Sequence, residues 1–130
     1  MGYSIQWDNE EKTILLQQFT DKPDKEDLYA LARESANMLA SVPHTVHIII
    51  DEHGNRLHLN AVDIKLLENL VPANQGVVVM IVKESDLAYK KFLENAGKKL
   101  GPKAFKETSY ASTLEEARHF LQDQFALHYP

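Results

Sequence analysis

The sequence predicts an α/β fold: a mixed, mainly parallel β-sheet with an N-terminal antiparallel hairpin, flanked by about four helices. Three observations carry this. Residues 46–50 and 77–82 are continuous apolar runs rich in β-branched side chains, as expected of strands covered on both faces. From residue 46 onward, strand-like and helix-like segments alternate, which implies right-handed crossovers and a parallel sheet. Before them, two β-favouring runs flank the polar stretch Asp8-Asn9-Glu10-Glu11-Lys12, the usual signal of a hairpin.

Residues 4–7 and 13–19 are the two hairpin strands, and Trp7, the one tryptophan, is expected at the edge of the core. Asp24 is placed to cap the first helix, with Glu26 and Asp27 favouring its positive end. Leu28, Leu31, Ala32, Ser35, Ala36 and Leu39 recur at helical spacing and form one stripe, and Pro43 ends the region. Asn60 is the expected cap of the second helix, with Leu59 and Ile64 as a hydrophobic staple. Its buried face is assigned to Val62, Leu66, Leu67 and Leu70, and Pro72 stops it. Ser85 is the expected cap of a third helix carrying Leu87, Ala88, Phe92, Leu93, Ala96 and Leu100, ended by Gly101-Pro102. Residues 105–110 read as a strand nearer an edge. Thr113 and Glu116 fit a capping box for a last helix with Ala117, Phe120, Leu121 and Phe125 on its apolar side. One domain over residues 1–125 is expected, with 126–130 as a tail.

With 44% hydrophobic and 25% charged residues the composition is that of a globular domain, which sets aside disordered and fibrous classes. No run approaches the ~20 apolar residues of a membrane span. The first residues lack a signal-peptide pattern, and Gln6 breaks the myristoylation motif that Gly2 would open, so a cytoplasmic location is expected. The net charge of −5 argues against nucleic acid as a partner. Acids outnumber bases two to one up to Val82, and the two nearly balance afterwards. The later excess lies in Lys90, Lys91, Lys98, Lys99, Lys103 and Lys106. It reads as a solvated helix face, with docking to an acidic partner or anionic lipid as the alternative.

The chemistry-bearing motifs are mostly absent. With no cysteine there is neither a thiol nucleophile nor a thiolate metal site. No phosphate-binding glycine loop, nucleophile elbow or H-E-x-x-H helix occurs. Of the six histidines, His44, His47, His53 and His58 cluster in sequence, but one strand separates His44 from Asp51. His53, His58 and an acid would remain, and surface or core roles explain them better than a metal. No cofactor and no metal are therefore expected. Asp51 has two readings, a cap for the turn after the strand or a carboxylate at the carboxyl edge of the sheet beside Asn55 and Arg56. Backbone N–H groups at residues 60–62 offer a place for an anionic head group.

The order of elements, the Ile48-Ile49-Ile50-Asp51 strand end, the Gly54 turn and the helix start near Asn60 resemble the SpoIIAA-like, STAS-type domains. Trp7-Asp8 and Thr113-Leu114-Glu115-Glu116-Ala117 extend the likeness to small stand-alone bacterial members. The resemblance implies a regulatory or interaction domain. Where anti-sigma factor antagonists carry a phosphorylatable serine, however, this chain has Leu59-Asn60-Ala61-Val62, so that switch is missing. The expected function is thus a non-enzymatic interaction domain whose surface comprises Asp51, Asn55, Arg56, Asn60 and Ala61. The alternative is a carrier or sensor of a small apolar or nucleotide-like ligand held between helices and sheet. A protein partner or small ligand is expected, with a homodimer and peripheral membrane contact as weaker options.

Overall fold

The computed structural model describes residues 2–19, 24–52, 60–99, 101–103 and 108–125. Among these residues five strands lie in the order β1 (Tyr3–Trp7), β2 (Ile14–Phe19), β3 (Val46–Asp51), β4 (Gln75–Ile81) and β5 (Thr108–Ala111). The β1–β2 pair is antiparallel and every later pair is parallel, so the sheet is mixed and mainly parallel as the sequence predicts. Four α-helices accompany it among the described residues: α1 (Lys25–Ala40), α2 (Ala61–Glu68), α3 (Leu87–Gly97) and α4 (Leu114–Phe125). None of the described helices is long and apolar enough to cross a membrane.

The strand order explains which face each helix covers. Each parallel crossover advances one place in the same direction, and right-handed crossovers of one direction deliver their helices to one face. Accordingly α1, α2 and α3 share one side of the sheet. After β5 the chain turns under the opposite side, where α4 packs.

On the α4 side, Ile14, Leu16, Ile49, Val77 and Val79 meet Ala117 and Leu121, and all are buried. Thr113 Oγ1 accepts the Glu116 N–H at 3.1 Å, and the Glu116 carboxylate takes the Ser112 hydroxyl at 2.6 Å. The two halves of the hairpin-and-helix motif are joined directly: Arg118 donates to both oxygens of Asp8 at 2.9 and 2.6 Å. A bidentate pair of this kind fixes orientation as well as distance. It ties the hairpin turn to α4 across 110 residues of sequence.

A register shift separates the Val46–Gln75 and Ile48–Val78 pairs, so β4 carries one extra residue opposite His47. Such a bulge leaves a backbone N–H out of the ladder. Here the Val77 N–H donates to Nδ1 of the buried His47 at 2.9 Å, while the imidazole stacks on Phe125 with centroids 4.1 Å apart. A Cβ on Gly76 would stand 2.4 Å from that nitrogen, so only glycine lets the ring approach.

Two assignments change. Val62 and Leu66 are not buried: they are 65% and 48% exposed, as is Phe92 on α3 at 68%. Leu67 and Leu70 do face inward as expected, and Ala61 and Ile64 join them in place of Val62 and Leu66. Ser85 does not cap α3; it lies in a 3-10 turn over Glu84–Asp86 that leads into the helix. On α2 more than one face is apolar enough to be read as the inner one, and at α3 the 3-10 turn moves the helix start past Ser85.

A cavity between three helices and the sheet

Strand alternation decides what points toward α1, α2 and α3. The registers align Gln17 with Ile50, Ile48 with Val78, and Met80 with Tyr110, so these side chains share one face. The same parity adds Phe19, Thr108 and Glu52, the residue just past β3. On α1 the facing residues Ala32, Ser35 and Ala36 are small, and α3 contributes Gly97. These residues cannot fill the gap, and a cavity of about 530 Å³ remains between sheet and helices. Leu28, Leu31, Ile64, Leu67, Leu70, Val71 and Pro72 complete a largely apolar wall.

Helix α2 roofs this space and is held at its ends. At the start, Asn60 Oδ1 accepts the Asp63 N–H at 2.9 Å and Asp63 Oδ2 accepts the Asn60 N–H at 3.0 Å. Asp63 also receives Lys25 Nζ at 2.8 Å and the Tyr29 hydroxyl at 2.6 Å, which bind α2 to α1. Bonds from Lys25, Tyr29 and the Asn60 backbone lower the Asp63 carboxyl to about 2. At the far end the Glu68 carboxylate accepts the Lys103 backbone N–H at 2.9 and 3.0 Å.

The polar part of the lining lies toward β5 and α3. Lys90, only 8% exposed, donates to Glu52 Oε2 at 2.7 Å, deep in the wall. Burial raises the Glu52 carboxyl, and Lys90 opposes that rise. One turn along α3, Glu94 accepts the Tyr110 hydroxyl at 2.6 Å and pairs with Lys98 at 3.1 Å. Burial and the neighbouring carboxylate push the Tyr110 hydroxyl up, keeping it a proton donor. On the α1 side Gln17 Nε2 donates to Ser35 Oγ at 2.7 Å, so that pair is mutually satisfied.

The five residues expected to form a surface separate in space. Asn60 and Ala61 line the cavity at the start of α2. Asp51 has the parity of His47 and Ile49, facing α4 rather than the cavity. Asn55 and Arg56 lie outside the described residues, as do His53 and His58. No cluster able to hold a metal occurs among the described residues. Of the backbone donors at this helix start, those of Asn60 and Asp63 are taken by the reciprocal cap, with the Asp63 carboxylate beside them.

Sequence reasoning missed Glu52, Lys90, Glu94 and Tyr110. Glu52 was legible: it continues the Ile48, Ile50 alternation by one step. Lys90, Glu94 and Gly97 also stand at i, i+4 and i+7 on one face of α3. The lysine had been counted with its solvated neighbours, although burial beside an acid gives it a different role. No family model, curated protein or solved structure matches the chain.

Proposed function

We propose that this domain is a non-catalytic carrier or sensor that holds a small, mainly apolar ligand in the open-sided cavity between α1, α2, α3 and the sheet. The observation that carries this is the cavity of about 530 Å³. Protein interiors are close-packed, with few voids larger than a water molecule. Ligand sites, by contrast, are apolar clefts of roughly 300–1,000 Å³ with a few convergent polar groups. The wall fits that description, with mainly apolar residues on α1 and α2 and polar ones, Glu52, Lys90, Glu94 and Tyr110 among them, toward α3. A non-catalytic reading is preferred because each carboxylate in the wall already pairs with a lysine, which suits holding a ligand rather than moving protons. The SpoIIAA-like resemblance and a cytoplasmic location belong to the same proposal, resting on element order and the expected topology of the chain.

The test is uptake of Nile red, an uncharged dye that brightens in apolar surroundings. Saturable 1:1 uptake is expected in the parent chain. It should be lost in Ala36→Phe, whose circular dichroism should be unchanged. Uptake that survives this substitution would locate the dye elsewhere and remove the support for a carrier.

The interaction-domain reading retains one specific observation, the exposure of Val62, Leu66 and Phe92 on the outer sides of α2 and α3. Exposed apolar side chains on α2 and α3 fit a contact with a protein partner. If Val62→Ser/Leu66→Ser/Phe92→Ser abolishes capture of a partner while dye uptake persists, the two uses are separate.

A further inference from the structure

We infer that the ligand carries an uncharged, hydroxyl-bearing polar head, seated among Glu52, Lys90, Glu94 and Tyr110, with its apolar part running toward α1 and α2. This rests on the reading of the cavity as a ligand site and names the chemistry that site selects.

The argument begins with charge balance. Lys90 neutralises Glu52 at 2.7 Å, and Lys98 neutralises Glu94 at 3.1 Å. The polar end of the cavity is thus already paired before a ligand enters. Adding a unit charge in such surroundings carries a desolvation cost with no opposite charge left to repay it. A carboxylate head would meet two carboxylates, with Asp86 and Asp51 adding further negative potential at Glu52. An ammonium head would meet Lys90, buried at the same spot.

A hydroxyl avoids both costs and uses the groups present. An ammonium has three N–H bonds and Glu52 Oε2 takes one, so Lys90 can also donate to a ligand oxygen. Carboxylates have several lone-pair sites, so Glu94 can accept a ligand hydroxyl besides the Tyr110 hydroxyl. A head that both accepts and donates, such as a glycerol or alcohol, is therefore matched on both counts. Hydrogen bonds to charged groups are the stronger kind, and here they need no extra charge. The set also gives a role to the buried Glu52–Lys90 pair at the polar end of a largely apolar wall, where it contributes specificity more than stability.

Competition for Nile red on the refolded chain tests this. Three amphiphiles with the same twelve-carbon acyl or alkyl chain serve as competitors: 1-monododecanoylglycerol, dodecanoate and dodecylamine, each kept below its micelle concentration at pH 7. The glycerol ester should displace the dye at about tenfold lower concentration than either ion, the scale of one charged-group hydrogen bond. In Glu52→Leu/Lys90→Met, where the pair becomes apolar at similar volume, that advantage should shrink to about threefold or less. Equal or better displacement by dodecanoate or dodecylamine overturns the uncharged head while leaving the cavity reading intact. Absence of any saturable dye uptake overturns both.

Discussion

The two faces of the sheet are built from the same strands and solve opposite problems. Under α4, one helix closes a face with Ala117 and Leu121 at zero exposure, and an Asp8–Arg118 fork pins it. Under α1, α2 and α3, three helices cover the other face and leave about 530 Å³ open. More helices give less filling, because Ala32, Ser35 and Ala36 leave part of the inward face of α1 short of the sheet and α2 is held at its ends rather than along its length. A sheet face that were only a core would gain from collapse, since unfilled space forfeits dispersion contacts. The polar cross-links at Asp63 and Glu68 keep α2 in place as a roof over that space.

The largest expected effect breaks the packed face. Leu121→Ala should cost about 2–5 kcal/mol, because a fully buried leucine leaves a cavity in a filled environment. Leu67→Ala, on a wall that already borders open space, should cost clearly less in the same urea titration. Equal losses would mean that the two faces are packed alike.

A change of opposite sign sharpens the contrast. Ala117→Leu adds volume where none is free and should cost about 1–3 kcal/mol. Ala36→Leu adds the same atoms into the cavity and should be neutral or stabilising, by about 0.5–2 kcal/mol. Thermal midpoints of the two variants should therefore move apart, and a comparable fall in both would show that the cavity is not available space.

The smallest effect concerns the roof. Asp63 is lowered from 3.8 to about 2 in the folded chain, so its contribution is present above the unfolded value and is lost as pH falls through about 2. Between pH 4 and 2 the parent chain should lose more stability than Asp63→Asn, whose neutral amide does not titrate. Parallel midpoint curves for the two proteins over that range would sink the latch. At neutral pH Asn60→Ala, which removes the partner cap, should cost about 0.5–2 kcal/mol.

Much of the fold could be read in the chain because its signals are local. The two apolar runs, the Asp24 and Asn60 caps and the hairpin turn each depend on a few adjacent residues. The cavity was not legible in that way, since an empty space is a property of facing residues far apart in sequence. Small side chains at Ala32 and Ala36 look like helix-stripe residues until the opposing sheet is known. Val62 and Leu66 show the same limit from outside: helical spacing defines a stripe but not which stripe faces inward. Glu52 and Lys90 pair across 38 residues, so neither one announces the other in the sequence.

The Asp8–Arg118 fork has a consequence for how the molecule is made. A ribosome adds roughly 5–20 residues per second and delivers the hairpin well before α4. Its partner Arg118 arrives more than a hundred residues later, with the helix that shields Ile14, Leu16, Ile49, Val77 and Val79. Until that segment emerges, the nascent sheet has one apolar side with nothing to cover it. Transiently bare surface of this kind invites chaperones and aggregation, and a message cut short before α4 would yield a product that never escapes that state.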